Sequence, residues 1–101
     1  MHATVKRYEL GAGSRGAGAV KEIVRRCQEE LLPKVGEIDG FVGFYVVDTG
    51  DGVIASVSIF ESQASADEGN QLAKQFFKER LRGLLQANPQ VTEGEAVVHK
   101  P

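Results

Sequence analysis

The chain has 101 residues, 42% of them hydrophobic and 26% charged, and a formal net charge of -2 at pH 7; this composition fits one globular domain, which we predict over residues 1–101. The charge supplies no basic field, so nucleic acid and anionic membranes are not expected as partners, and no apolar run is long enough to cross a bilayer. A single cysteine excludes an internal disulfide and, with no signal peptide in the first residues, predicts a cytoplasmic location.

The first third of the chain predicts a strand and an amphipathic helix. Residues 2–10 form the strand. Its predicted facing is Ala3 and Val5 toward the core, and His2, Thr4 and Lys6 toward the outside. From about Ala17 the apolar residues recur at helical spacing, at Val20, Ile23, Val24, Cys27 and Leu31. Because Cys27 lies on this stripe, we predict a buried structural thiol rather than a nucleophile, which needs exposure and a cationic neighbour.

A glycine-rich segment, Gly11-Ala-Gly-Ser-Arg-Gly16, connects this strand to this helix and matches the G-x-G-x-x-G pattern of dinucleotide-binding loops. The rest of that motif is missing, because it needs a parallel second strand and an acidic residue about 20 positions further on. We therefore predict a connecting loop. An anion held by Arg15 and free amides at the helix start is the alternative.

The stretch 41–60 predicts a β-hairpin, because Asp51-Gly52 lies between β-branched and aromatic runs. A two-residue turn, at Gly50-Asp51 or at Asp51-Gly52, gives the same pairing parity: odd-numbered residues of the first strand pair with even-numbered residues of the second. One face then carries Phe41, Gly43, Tyr45, Val47, Ile54, Ser56, Ser58 and Phe60. The opposite face carries Val42, Phe44, Val46, Ala55, Val57 and Ile59. Since the second face is purely apolar, we predict that it packs on the core.

The last third predicts a second helical region and a final strand. Ser65 and Glu68 have the spacing of a capping box, with Ser62 as an alternative start. Gly69-Asn70 is predicted to separate a short helix from a longer one, which ends at Asn88-Pro89. The apolar stripe of the longer helix is Leu72, Ala73, Phe76, Phe77, Leu81, Leu84 and Leu85. The mixed charges of Lys78-Glu-Arg-Leu-Arg82 predict a solvated helix face, and residues 91–99 predict the final strand.

The predicted order β-α-β-β-α-β is the ferredoxin-like plan, an α+β fold with a four-stranded antiparallel sheet. Two helices cover only one face of such a sheet, so the hairpin face that carries Phe41, Tyr45 and Phe60 is left open. An open apolar face indicates a ligand or a second subunit. We predict a homodimer that pairs through this face.

Three short segments, together with the element order, resemble the dimeric α+β barrel superfamily and, within it, the small antibiotic-biosynthesis-monooxygenase-like proteins. They are Asp39-Gly-Phe41, Phe60-Glu-Ser62 and Thr92-Glu-Gly-Glu-Ala96. The resemblance implies two sheets paired into a barrel around a cleft. Its known activities include cofactor-free oxygenation of polyketide phenols, haem degradation and isomerisation. Enzymes of the monooxygenase branch tend to use Trp, Asn and His in the cleft. This chain has no Trp, and no cofactor is predicted.

Six residues are the candidate lining of the cleft between paired sheets: Tyr8, Tyr45, Ser56, Ser58, Glu95 and His99. Tyr45 and the two serines share a face in the predicted pairing, where a phenol can orient a polar ligand or form a dimer contact. His2 and His99 belong to neighbouring strands of this fold. Two histidines, even with Glu95 nearby, make a poor metal site, so no metal is predicted.

Three functions stay open from the sequence. The first is a non-catalytic homodimer, either structural or binding a small apolar or aromatic molecule, and the lack of a convincing general base favours it. The second is a cofactor-independent monooxygenase-like enzyme that acts on a small aromatic or polyketide-type substrate in the cleft. The third is a ligand-sensing module of the ACT type, which shares the strand order and would bind its ligand at a subunit interface.

Overall fold

The computed structural model describes residues 1–11, 17–86 and 88–100. Within them the strands are β1 (His2–Glu9), β2 (Phe41–Asp48), β3 (Val53–Phe60) and β4 (Gln90–Glu95), and the helices are α1 (Ala17–Arg26), α2 (Leu32–Val35) and α3 (Gln63–Arg80). The strands form one antiparallel sheet in the order β2-β3-β1-β4. This is the predicted ferredoxin-like α+β fold. The prediction of a glycine loop falls largely on residues 12–16, which lie outside the described residues.

A π-helical turn at Cys27–Leu31 joins α1 to α2. The buried residues of this helical region are Ile23, Cys27, Leu31 and Val35. They recur every four residues, and in a regular α-helix each such step rotates the side chain by about 40°. The wider π turn reduces this rotation, so the stripe stays on the sheet over a longer stretch. The predicted burial of Cys27 is confirmed.

The predicted pairing parity of the hairpin is wrong, because its loop has three residues instead of two. Asp48 pairs with Ile54, and the backbone N–H of Thr49 donates to the carbonyl oxygen of Val53 at 3.2 Å. Gly50 and Gly52 both have positive φ, 82° and 79°, which glycine adopts without strain. An odd loop places odd-numbered residues of β2 beside odd-numbered residues of β3.

A register irregularity between Phe41 and Gly43 shifts the pairing once more at the far end of the hairpin. Phe41 therefore pairs with Phe60, as a two-residue turn at Gly50-Asp51 would also have paired them. Their rings meet edge to face, with centroids 5.8 Å apart. This bulge confines the error in parity to residues 43–48 of β2.

The helix-facing side of the sheet is consequently only partly the predicted one: Phe44 and Val46 of β2 pack against the core as predicted, but β1 and β3 differ. On β3 the buried residues are Ile54, Ser56, Ser58 and Phe60, while Ala55, Val57 and Ile59 are only partly buried. On β1, Thr4 and Tyr8 are buried and, with Lys6, face the helices, whereas Ala3 and Val5 face away. Both predicted facings were therefore inverted. Both sides of β3 are small or apolar enough to be buried, so the alternation on this strand did not distinguish them.

Helix α3 is continuous through Gly69-Asn70, contrary to the predicted break. It begins at the alternative start, where the Ser62 side chain accepts a hydrogen bond from the backbone N–H of Ser65. Gly69 is needed for packing, because a β-carbon there would overlap the ring of Phe60. Asn70 donates from Nδ2 to Oγ1 of the buried Thr4 at 3.2 Å. The helix ends at Arg80 rather than near Asn88, and Gly83 follows with φ of 85°.

The side of the sheet that faces away from the helices is largely apolar. The central row across it is Thr92, Val5, Val57 and Tyr45, flanked by the row Gly94, Ala3, Ile59 and Gly43. Tyr45 is 58% exposed and Val47 is 48% exposed. The expectation of an uncovered sheet face therefore stands, although a different set of β3 side chains forms it. We call this surface the open face.

Candidate functional site

An open cavity of about 760 Å³ lies on the helix side of the sheet. Its walls come from β1, from β4, from the C-terminal half of α3 and from the segment after that helix. The described lining residues are Lys6, Tyr8, Lys74, Phe77, Lys78, Leu81, Arg82, Leu85, Gln86, Asn88, Pro89 and Val91. The volume is in the range of small-molecule sites, roughly 300–1,000 Å³. This cavity is therefore the candidate functional site.

The fold creates this space because β4 extends the sheet beyond the helices. Helix α3 packs on β3 and β1, while every residue of β4 is exposed. Val91 lies beside Lys6 on the helix side of the sheet and is still 49% exposed. After α3 ends, the backbone N–H of Gln86 donates to the carbonyl oxygen of Glu9 at 2.8 Å, which holds the segment after the helix against β1.

An aromatic pair forms the floor of the cavity. The rings of Tyr8 and Phe77 lie with centroids 4.5 Å apart and are tilted by 43°. Leu81 and Leu85, both buried, continue this apolar surface. Burial, with a smaller contribution from Cys27, raises the pKa of the Tyr8 phenol above its ordinary value. Tyr8 is therefore a neutral hydrogen-bond donor and aromatic wall at physiological pH.

Cationic side chains surround this apolar floor. Lys74, Lys78 and Arg82 are exposed at the rim, and Lys6 is partly buried on β1. Burial lowers the pKa of the Lys6 amine, Glu93 opposes that shift and Lys74 reinforces it. Among the described residues none of these four cations is in a hydrogen bond or a salt bridge.

Glu93 is the acidic group beside Lys6. Glu93 pairs with Thr4 of β1, so on β4 it lies between the residue that pairs with His2 and the residue that pairs with Lys6. Its Oε1 lies 3.7 Å from Nε2 of His2, a nitrogen that is buried without a hydrogen-bond partner among the described residues. Glu93 thus interacts with two side chains of β1, His2 and Lys6.

The structure separates the six predicted cleft residues. Tyr8 lines the cavity. Ser56 and Ser58 are buried beneath α3, beside Gly69 and Asn70, where only about 10 Å³ is open. That space is no larger than one water molecule requires. These two serines are therefore packing residues between the sheet and α3.

The other three predicted residues also lie apart from the cavity. Tyr45 is on the open face, folded over Gly43, whose added β-carbon would lie 3.2 Å from the tyrosine ring. Glu95 is exposed at the end of β4, opposite His2. His99 is exposed beyond β4, which ends at Glu95 and not at residue 99 as predicted. The shared face predicted for Tyr45, Ser56 and Ser58 is wrong, because the loop has odd length.

Sequence reasoning missed the cations that line the cavity. The sequence predicts one solvated face for the run Lys78–Arg82, but its members divide: Arg80 donates to Glu30 at 2.7 and 3.1 Å, while Lys78 and Arg82 line the cavity. A signal was present. Lys74, Lys78 and Arg82 recur every four residues with no carboxylate at that spacing, unlike the pair Glu22 and Arg26 on α1.

The part of the chain that the structure describes contains no group of three or more His, Cys, Asp and Glu side chains that could hold a metal ion. Burial raises the pKa of the Cys27 thiol to about 11, and Glu30 adds to the shift. Across the same residues, no helix combines the length and the apolar character that a bilayer span requires.

Solved structures share this fold at low sequence identity. A dimeric ferredoxin-like protein from an uncultured marine organism matches with a TM-score of 0.72 at 11% identity, over 99% of this chain and 90% of that one. The haem degrader MhuD from Mycobacterium tuberculosis, with two haems bound in its active site, matches at 0.69 and 18% identity over 100% of both chains. The cofactor-independent oxygenase SnoaB from Streptomyces nogalater matches at 0.69 and 14% identity, over 99% and 96%.

These matches are similarities of fold. No protein-family model matches the chain, and no curated protein matches it. The dimeric α+β barrel proteins and antibiotic-biosynthesis-monooxygenase-like proteins named by the predicted resemblance are among the structures with this fold. The resemblance stated from the sequence is confirmed at the level of the fold.

Proposed function

We propose that this protein is a homodimer that binds a small, mainly apolar or aromatic molecule in the cavity between α3 and strands β1 and β4. The observation that carries the proposal is the cavity itself: about 760 Å³ with an aromatic floor formed by Tyr8 and Phe77. A largely apolar concave site with a few polar groups is the usual form of a small-molecule site.

The cavity differs in place from the cleft predicted from the sequence. It lies on the helix side of the sheet, opposite the open face through which we propose that the subunits pair. The sheet would separate a ligand there from that pairing surface, whereas the ACT-type alternative requires a ligand at the subunit interface. We also retain the proposal of a single domain in the cytoplasm.

The open face supports the dimer. Its central positions carry Val5, Val57 and Tyr45, and its charged residues, Arg7 and Glu9, lie toward one end of β1. An apolar surface of this kind is commonly covered in a soluble protein by a second copy or another partner. A two-fold pairing covers the same patch on both copies, and one structure with this fold is a dimeric ferredoxin-like protein.

The cavity is tested by filling it. We expect the neutral fluorescent probe N-phenyl-1-naphthylamine to bind the protein with enhanced emission. Val91→Trp introduces an indole at a half-exposed position of the wall, so the side chain occupies the cavity without replacing a core residue. Probe binding should weaken by about ten-fold or more, which corresponds to about 1.4 kcal/mol.

The matched control for that experiment is Val98→Trp, which adds the same side chain at a position 91% exposed and outside the cavity. This variant should bind the probe as the wild type does. If Val91→Trp also leaves binding unchanged, the probe binds elsewhere and the cavity is not the site.

A second candidate function is a monooxygenase-like activity on a small aromatic or polyketide-type substrate. The Lys6 amine favours it, because burial lowers the pKa of this amine within reach of a ligand on the aromatic floor, and a base of lowered pKa takes a proton from a phenol more readily at neutral pH. The test is oxygen uptake with an anthrone. We expect Lys6→Met to abolish protein-dependent uptake, and uptake equal to the uncatalysed rate in the wild type would reject this function.

A further inference from the structure

We infer that the ligand of this cavity is an amphipathic anion: its aromatic or otherwise apolar body lies on Tyr8 and Phe77, and its carboxylate, phosphate or sulfonate group lies among Lys74, Lys78 and Arg82. This inference rests on the proposed function and specifies the class of ligand. It is carried by the distribution of charge around the cavity.

The described basic residues differ in their pairing: some form salt bridges, others, among them Lys21 and Lys34 away from the cavity, form none, and four of the unpaired ones gather around the cavity. On the helical surface away from the cavity, Arg25, Arg26 and Arg80 are each paired with glutamate, to Glu22, Glu29 or Glu30, at 2.5 to 2.7 Å. Around the cavity, no described carboxylate comes within salt-bridge distance of Lys6, Lys74, Lys78 or Arg82. The chain carries more acidic than basic residues, 14 against 12, so the unpaired cations do not reflect a shortage of carboxylates.

The spacing of the rim cations adds to this argument. Lys74 and Lys78 are four residues apart on α3, so they are neighbours on one face of the helix, and Arg82 follows just beyond its end. Like charges at this spacing repel each other. A bound anion would replace that repulsion with attraction. Glu93, whose charge acts on Lys6, also lies near His2, and no salt bridge is found for Lys74, Lys78 or Arg82 among the described residues.

The geometry also fixes the polarity of the ligand along its length. The buried floor, with Tyr8, Leu81 and Leu85, offers apolar contacts. The exposed rim offers ammonium groups and one guanidinium, which binds oxyanions with two parallel hydrogen bonds. A ligand that matches both ends has one apolar end and one anionic end. A neutral apolar molecule would leave the rim uncompensated, and an inorganic anion would leave the floor unfilled.

Two probes that differ in one group provide the test. The dye 8-anilinonaphthalene-1-sulfonate has the same aromatic body as N-phenyl-1-naphthylamine and adds one sulfonate. We expect the sulfonate dye to bind about ten-fold tighter than the neutral dye, and its affinity to fall as sodium chloride rises from about 0.01 to about 1 M, where the Debye length shortens from about 30 to about 3 Å. Binding of the neutral dye should not depend on salt.

Two double variants distinguish the effect of the rim lysines on dye binding from the effect of the protein's overall charge. The double variant Lys74→Gln with Lys78→Gln should weaken the sulfonate dye by about ten-fold and leave the neutral dye unchanged. The control double variant, Lys21→Gln with Lys34→Gln, removes the same charge at two exposed lysines outside the cavity. It should bind both dyes as the wild type does.

Each other outcome has a defined meaning. If the two dyes bind equally and the rim variant changes neither, the ligand is not an anion, although the cavity remains a binding site. If neither dye binds, or if Val91→Trp leaves both unaffected, the proposed function fails and this inference fails with it. If the control variant weakens the sulfonate dye as much as the rim variant does, the attraction is a general field and the anion site is rejected.

Discussion

At the scale of single residues, one close contact determines how α3 lies on the sheet. Gly69 is buried in the helix, and a β-carbon there would come within 2.8 Å of Cε2 of Phe60. Beside it, Asn70 satisfies the hydroxyl of Thr4, which is 1% exposed. The absence of a side chain brings the helix close enough for this hydrogen bond between buried groups, which would be costly to leave unpaired.

We therefore predict that Gly69→Ala destabilises the protein although alanine favours helices. The overlap with Phe60 should lower the free energy of unfolding by about 1–3 kcal/mol, the usual cost of overpacking. Gly18→Ala is the control, because Gly18 is also helical and a β-carbon there meets nothing within 4 Å. It should raise stability, by up to about 1 kcal/mol. Urea denaturation at one protein concentration measures both, and equal effects would contradict the packing argument.

At the scale of elements, α3 links the sheet to the cavity. Its N-terminal half packs on Thr4 and Phe60, and its C-terminal half supplies Lys74, Phe77 and Lys78 to the cavity wall. The position of the helix is fixed at its start by Ser62 and by Ser65, whose Oγ donates to the carbonyl oxygen of Asp39 at 2.6 Å. One helix therefore carries both this anchored start and, several turns later, part of the cavity wall.

We predict that Ser62→Ala removes the N-cap and lowers the free energy of unfolding by about 1 kcal/mol, because the N–H of Ser65 loses its acceptor. The adjacent Gln63→Ala is the control, since Gln63 is exposed and its side chain is in no described hydrogen bond. It should change stability by less than about 0.5 kcal/mol. Denaturation midpoints compare the two, and a loss of equal size in both would show that the cap contributes nothing specific.

At the scale of the whole molecule, the two sides of the sheet have different roles. The helix side contains the core and the cavity, and the open face carries Tyr45, Val47 and Val57, through which we propose that a second copy pairs. Placing the two surfaces on opposite sides makes ligand binding and dimer formation separable by mutation. The sheet predicted from the sequence combined both in one cleft.

We predict that Tyr45→Glu converts the dimer to a monomer. In a two-fold interface each of the two copies would bury one such carboxylate. Each unpaired buried charge costs about 2–5 kcal/mol. Sedimentation at micromolar concentration measures the change. Val91→Glu is the control, because Val91 has a similar exposure on the opposite side of the sheet. It should leave the dimer intact, and a wild-type monomer would refute the proposed pairing.

The sequence by itself determined the element order, the ferredoxin-like plan and the existence of an uncovered sheet face, because these depend on local periodicity and on how much surface two helices can cover. It also identified Cys27 as buried, since the helical stripe around it is strong. Tertiary structure alone decided which side of the sheet the residues of β1 and β3 face. A loop of three residues rather than two reverses the parity, and both faces of β3 are small or apolar enough to be buried.

The same limit explains the candidate site. Tyr8 was included in the predicted cleft, but the cavity it lines also needs Lys6, Phe77 and Val91 from three different elements. Net charge describes the whole chain, so a total of -2 gave no sign of a local cationic cluster. Only packing showed that Arg80 is neutralised by Glu30 while Lys78 and Arg82, on either side of it, face the cavity. Ion pairing is settled by which helix surfaces meet, and that is a property of the folded chain.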